Sequence, residues 1–364
     1  MPITGSGRAT RLIRTSAAST DVHSATVASG STRPTRTPED FAHIIKVKQN
    51  APELLRRALS RVPVDLVFTG DYQPAERKYR LSRQMLEVCH ELGFPVFVLE
   101  RSPLVLRDLD LLQDINRRAP SVVAFSILTT PEAPSHAQVR EIERLAPAPE
   151  KRFAAMAEFG KAGMLTGTCL MPVLPGLSDD DATLESVVRW TADHGGRFVL
   201  VGALTLADQQ KAYFLDVLSQ RFPHLVASYR ALYPQASYAP KGDTTCRLAL
   251  SVRDLCTRYG LSDRIPRPII PGDKHALNKR VVERLANRAH TIEIEAGPSD
   301  RVWAHRKAAW AVGELEQDIG LVYQTLGLKG LQSLPDIGPG LAAEVEALLA
   351  ELDPAGPSAP SGER

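Results

Sequence analysis

Cysteine is scarce in this chain: 364 residues carry four, Cys89, Cys169, Cys246 and Cys256, and none stand in CxxC or CxxxCxxC spacing. That scarcity leaves no local loop of thiolates to grip a metal, and it makes a reducing cytoplasm the default compartment. Long apolar runs are missing as well; the longest fall well short of the ~18 residues that a membrane span needs. Nor is there an excess of charge of either sign, since Lys+Arg 44 against Asp+Glu 42 leaves +2. Any nucleic-acid binding must therefore come from a local patch rather than from global attraction. What is present, 43% hydrophobic and 24% charged residues, suffices for one large α/β domain and a smaller companion.

Residues 1–40 have almost no apolar periodicity, are crowded with Ser, Thr, Ala and Arg, and hold only Asp21, Glu39 and Asp40 as acids. Such a segment cannot build a core and is expected to be a disordered leader. A transit peptide shares that composition, but no amphipathic helix is evident. From Ile44 onward, short β-branched runs alternate with longer helical patterns, the mark of βα units around a parallel sheet. Strands are predicted at Val64 to Thr69, Val96 to Glu100, Val122 to Leu128, Leu165 to Met171 and Phe198 to Gly202. Helices are predicted at Pro52 to Arg61, Glu76 to Leu92, Leu104 to Arg117, Glu150 to Ala162, Ala182 to His194, Asp208 to Gln220 and Leu225 to Leu232. Periodicity alone does not choose between a barrel, full or partial, and an open doubly wound sheet.

A proline-rich joint, Ile265-Pro-Arg-Pro-Ile-Ile-Pro-Gly272, marks a boundary between a domain over 41–264 and a helical block over 275–352, with 265–274 as linker. The tail 353–364 is a disordered end by composition.

The strand ends carry the residues that would build a site. They are Thr69-Gly-Asp-Tyr-Gln-Pro-Ala-Glu76, Ser126-Ile-Leu-Thr-Thr130 and Met171-Pro-Val-Leu-Pro-Gly176. Gly70 lets a ligand approach the backbone, Asp71 accepts from a hydroxyl or ammonium group, and Ser126 and Thr129 add neutral hydrogen bonds. Ordinary βα turns use the same punctuation.

Four segments, Val47 to Leu55, Thr69 to Glu76, Arg101 to Leu112 and Thr205 to Phe214, resemble successive signatures of the spore photoproduct lyase-like radical S-adenosylmethionine (SAM) family. The resemblance runs from about Phe41 to about Tyr238 and implies a partial (β/α)6 barrel. It also implies that Thr69, Gly70 and Asp71 hold the amino and carboxylate ends of SAM, that Ser126 faces the ribose and that Pro172 flanks the adenine. The family's chemistry needs an electron donor and a [4Fe-4S] cluster on three thiolates, one iron being left open for SAM. Those thiolates come from a CxxxCxxC loop that should lie upstream of Phe41, where this chain has no cysteine. The strand Val64 to Thr69 also lacks the hydrogen-donating thiol of authentic spore photoproduct lyases. Codon degeneracy lets Leu12 to Ala25 be read, in a shifted frame, as the family's Asn-Pro-Tyr-x-x-Cys-x-His-x-Cys-x-x-Cys. On that expectation the leader is an out-of-frame copy of the cluster loop, and the nucleotide sequence of the gene decides it.

Leu334-Pro-Asp-Ile-Gly-Pro-Gly-Leu-Ala342 fits a helix-hairpin-helix, whose turn offers backbone N–H groups to a nucleic-acid phosphate. With Asn278 to Leu285 and Arg301 to Trp310, it resembles the N-terminal domain of family X DNA polymerases. Arg306, Lys307, Ile337, Gly338 and Gly340 are the nucleic-acid contacts so implied. Glu344 stands where that family's lyase lysine would be, so the resemblance carries DNA binding without lyase chemistry. From Gly272 to Leu352, 9 basic against 12 acidic residues give −3, which favours little counterion release. A protein-docking helical domain is the competing reading of this block.

The functional expectation is a radical SAM-type protein acting on nucleic acid in repair or modification, without its cluster ligands and inactive as translated. The alternative is a non-catalytic SAM-barrel protein that sits on DNA. A cluster-free SAM-binding enzyme of another type finds no base or nucleophile constellation to support it.

Overall fold

Four short runs rich in valine and phenylalanine and a longer one of leucine, threonine, cysteine and methionine form the sheet, because β-branched and aromatic side chains fit a pleated surface packed on both faces. A computed structural model describes residues 47–352 apart from Asp71, Ala207, Gln235 and Ala236. The leader with its shifted-frame reading, the tail and the Asp71 expectation lie outside the described residues. The strands are β1 (Val67–Gly70), β2 (Val96–Glu100), β3 (Val122–Ser126), β4 (Leu165–Val173) and β5 (Phe198–Ala203). They pair in the order β1-β2-β3-β4-β5, parallel at every step. The result is the partial parallel sheet of a radical SAM-like barrel, followed by an all-α region. A sixth strand, which a (β/α)6 barrel would have, is not among the described residues.

Helix α1 (Ala51–Leu59) precedes β1, and between the strands run α2 (Glu76–Tyr79), α3 (Leu81–Leu92), α4 (Leu109–Arg118), α5 (His136–Ile142), α6 (Pro149–Lys161) and α7 (Asp181–Asp193). Val67, Val96, Val98, Val123 and Phe125 face these helices and share a core with Leu55, Leu86, Leu112, Phe153 and Phe159. The alternate residues, Leu66, Phe97, Val122, Ala124, Cys169 and Phe198, form a second cluster on the opposite face, as the two-residue period requires. At Gly167 the strands approach so closely that a Cβ would lie 2.3 Å from the Phe198 carbonyl oxygen.

Two helices expected to be continuous are broken. The run from Glu76 to Leu92 is interrupted at Arg80, which adopts φ 51°. The Glu76 carboxylate reaches past the break to accept from the Ser82 N–H at 3.0 Å, satisfying a donor at the start of α3. The run from Leu104 splits into a 3-10 turn, Pro103–Asp108, and α4. After β5 come α8 (Asp208–Arg221), α9 (Val226–Leu232) and α10 (Thr244–Arg258). The last goes beyond the sequence expectations, although Leu248, Val252, Leu255 and Cys256 carry a helical period and pack against β4 and β5.

Contacts divide the chain into two units between Ile265 and Pro266. The second holds α11 (Ala276–Ile294), α12 (Ser299–Gly313), α13 (Ile319–Gln332) and α14 (Pro339–Leu352). Its core joins Val281, Leu285, Ala308, Val312, Ile319, Ile337 and Val345. Buried Asn278 donates to the Gln317 carbonyl and accepts from the Ile319 N–H, fixing the entry to α13. Gly327 breaks α13 with φ 60° and ψ −150°.

Candidate functional site

Parallel strands place their C-terminal ends on one edge, and the sequence puts its polar residues there. Thr69 and Gly70 end β1, Glu100 ends β2, Ser126 ends β3, and Met171 and Pro172 lie near the end of β4. Four of the five residues expected to contact SAM, all but Asp71, thus share one edge of the sheet. The local reasons for two of them differ from the ligand-based expectation. Gly70 has φ 151°, and a Cβ there would stand 2.2 Å from the Leu99 carbonyl oxygen. A neighbouring strand, with no ligand needed, already demands glycine at that position. Ser126 Oγ donates to the Met171 carbonyl at 3.0 Å. The β4 ladder shifts between Leu170 and Val173, and Pro172 has no N–H to contribute, so the serine spans an irregular stretch of the pairing.

Behind this edge, the family-like segments meet in a charged network. The Tyr72 N–H donates to Glu100 Oε1 at 2.9 Å, and the Tyr72 hydroxyl donates to Asp108 Oδ2 at 2.7 Å. Asp108 also accepts from Arg83 Nη1 at 3.0 Å and Arg107 Nη2 at 2.9 Å. Arg107 donates from Nη1 to the Glu76 carbonyl at 2.8 Å and lies 5.6 Å from the Tyr72 ring centroid. Burial, together with the Asp108 carboxylate, pushes the Tyr72 hydroxyl far above the usual tyrosine range. On Asp108 burial acts upward and is the largest influence, yet hydrogen bonds from Arg107, Tyr72 and Arg83 hold the carboxyl below its usual value. Hydrogen bonding by Arg83 brings Asp110 down to about 2.

A second network, which the sequence reading misses, holds the end of β3. Arg152 on α6 is fully buried; it donates to the Ser126 carbonyl at 2.7 Å, the Pro147 carbonyl at 2.9 Å and Glu143 Oε2 at 2.9 Å. Glu143 is itself buried and lies 3.3 Å from Arg101 Nε through its other oxygen. Burial drives the Glu143 carboxyl upward, and the Arg152 and Arg101 charges outweigh it, so the carboxyl is held low. The signal was in the sequence: Arg152 occupies the helical period of Met156 and Phe159, where an apolar residue would be expected. In the fourth family-like segment, Lys211 Nζ donates to the Pro234 and Ser237 carbonyls, both at 2.9 Å, tying down a loop.

The cysteines do not converge. Cys89 lies in the core around α3, Cys169 on the opposite face of the sheet, and Cys256 between α10 and the sheet. Burial pushes each of these three thiols up to about 12. Among the described residues, no group of three His, Cys, Asp or Glu side chains could hold a metal, and the rest of the sequence adds no cysteine. The residues present do not fit a [4Fe-4S] cluster, which takes three or four thiolates.

In the helical unit, Arg306 and Lys307 lie on α12. Arg306 Nη2 donates to Glu293 at 2.7 Å, and Lys307 Nζ stands 3.6 Å from Asp336 in the turn before α14. Ile337, expected among the nucleic-acid contacts, is buried in the unit's core and supports the turn from beneath. A Cβ added at Gly338 or Gly340 would meet nothing within 4 Å. Glu344 Oε2 lies 3.0 Å from His305 Nε2.

No protein-family profile matches the chain. Uncharacterized proteins of Mycobacterium tuberculosis and Mycobacterium bovis are each 30% identical to it over 236 residues, 63% of this chain and 68% of theirs. An uncharacterized protein of Methanocaldococcus jannaschii is 26% identical over 136 residues, 37% of this chain and 49% of that one. Among solved structures, a cysteine-to-alanine mutant of spore photoproduct lyase with dinucleoside spore photoproduct superposes with a TM-score of 0.50 at 11% identity, over 69% of this chain and 75% of that one. No helix among the described residues is long and apolar enough to cross a membrane. The chain belongs to the family of these mycobacterial proteins, on a fold distantly shared with spore photoproduct lyase.

Proposed function

We propose that this chain is a nucleic-acid-binding protein built on a radical SAM-type barrel and working without an iron-sulfur cluster. The separation of Cys89, Cys169 and Cys256 into three different cores carries the second half of that reading. Bound to a cluster's open iron, SAM supplies an adenosyl radical in the family; no step through that chemistry follows from the residues here. On this reading the barrel keeps the SAM-shaped edge, with Thr69 and Gly70 toward the amino acid end, Ser126 toward the ribose and Pro172 toward the adenine. Anaerobic reconstitution with iron and sulfide is expected to give no charge-transfer absorbance near roughly 400 nm. A stable band of that kind would overturn the cluster-free reading.

Nucleic-acid contact is assigned to the helical unit. It is supported by the open space around Gly338, directly before α14, and Gly340, in that helix's first turn, and by the exposed Lys307 close to Asp336 of the same turn. The balance of −3 limits the electrostatic part, so the full chain is expected to bind duplex DNA measurably at roughly 50 mM salt and barely at roughly 200 mM. Gly338→Leu should abolish that binding in an anisotropy titration by blocking the phosphate approach. If the leucine variant binds as well as the parent, the turn is purely structural. A protein-docking role is favoured by one observation, the exposure of Leu321, Leu326 and Leu328 on α13. That role predicts no nucleic-acid binding even at low salt.

A further inference from the structure

Trp303 is 50% exposed, an unusual position for a side chain whose burial contributes so much to folding. It sits on α12 in a stripe with Arg306, Lys307 and Trp310, three, four and seven residues on, the spacing that lines up one helix face. The opposite face of the same helix, Val302, Ala308, Ala309 and Val312, is buried. Arg306 lies 5.3 Å from the Trp303 ring centroid and is held there by Glu293, and Trp310 meets Trp303 edge to face at 6.2 Å. Lys307 runs from the same stripe to Asp336, so the aromatic face adjoins the turn that carries Gly338.

We infer that this stripe is a stacking platform for an unpaired base, and that the helical unit prefers single-stranded nucleic acid to duplex. The inference rests on the nucleic-acid reading above and specifies its substrate class. A flat π surface half open to solvent, braced by a guanidinium and a second indole, matches the face of a nucleobase. In a duplex those faces are stacked on one another and out of reach. Lys307 and the Gly338 turn are then placed for the neighbouring phosphates. Stacking does not depend on net charge, which reconciles binding with the unit's acidic balance.

The test is anisotropy of the full chain against labelled oligothymidine and against a duplex of equal length. Oligothymidine is expected to bind more tightly. Trp303→Ala should weaken that binding about ten-fold or more, the usual consequence of losing one base–aromatic stack, while Trp303→Phe retains most of it and duplex binding is unchanged. Because Trp303 packs into no core, both variants should keep the parent's thermal midpoint. Equal affinity for single strand and duplex, or single-strand binding untouched by Trp303→Ala, overturns the stacking platform and leaves the nucleic-acid reading in place. Failure to bind either strand form at low salt overturns both.

Discussion

Replacing Arg152 with methionine is expected to destabilise the barrel by about 3–5 kcal/mol, the range for removing one member of a buried ion pair. The substitution keeps much of the side chain's volume, so packing alone would not produce that loss. It leaves the Glu143 carboxylate, whose side chain is 2% exposed, without its shortest partner. It also strips the Ser126 and Pro147 carbonyls of the donors that now satisfy them. Adding Glu143→Gln should recover part of the loss, because the uncompensated charge goes while the unpaired carbonyls remain. Urea unfolding is the measurement. Trp190 reports on the barrel from beside Phe153, 5.3 Å away, once Trp303 and Trp310 are changed to phenylalanine. A loss below about 1 kcal/mol, the level of an exposed ion pair, would show that Arg152 is not the anchor its geometry makes it. Because Ser126 ends β3, weakening this anchor should also disturb the strand edge that carries the proposed SAM contacts.

Asp108→Ala is the second large effect, again about 3–5 kcal/mol. Its side chain is fully buried and gathers Tyr72, Arg83 and Arg107 from three separate segments. Removal leaves a buried tyrosine hydroxyl without an acceptor and two guanidinium groups without their shared carboxylate. The milder Asp108→Asn isolates the charge and has a pH signature. The folded carboxyl is held below the unfolded value of about 3.9. The stability it contributes is therefore fully present above about pH 4 and is lost as pH falls through the lower folded value. Glu143 and Asp110 act in the same sense. The parent should lose stability between neutral pH and about pH 3, and Asp108→Asn should flatten that slope while being less stable at neutrality. Equal slopes in parent and variant, measured by urea midpoints across that range, would remove Asp108 from the account.

Much of the fold was legible because the relevant signals are local. The β-branched runs mark all five strands, β2 to β5 begin where expected, and the remaining edges fall within three residues; β1 begins at Val67, three residues inside its predicted start. The break at Arg80 was not legible. It depends on Glu76 reaching Ser82 and Arg107 holding Glu76, the latter contact spanning 31 residues of chain. The candidate site divides in the same way. Thr69, Gly70, Ser126 and Pro172 could be assigned to strand ends, and strand ends share an edge in any parallel sheet. That Gly70 answers to the Leu99 carbonyl and Ser126 to the Met171 carbonyl became visible only with the neighbouring strands in register.

By itself the sequence determined that strands alternate with helices, that a helical block follows, and that no thiolate loop is present. Periodicity and composition carry those facts without reference to distant residues. Tertiary structure alone decided which charges are structural. Arg152 and Glu143 sit nine residues apart with no helical spacing between them, and Tyr72 meets Asp108 across 36 residues. It also decided which face of α12 is buried and which presents Trp303. A buried charge is tolerated only where partners arrive from elsewhere in the chain to satisfy it, and their arrival is set by the packing of whole elements rather than by any local pattern.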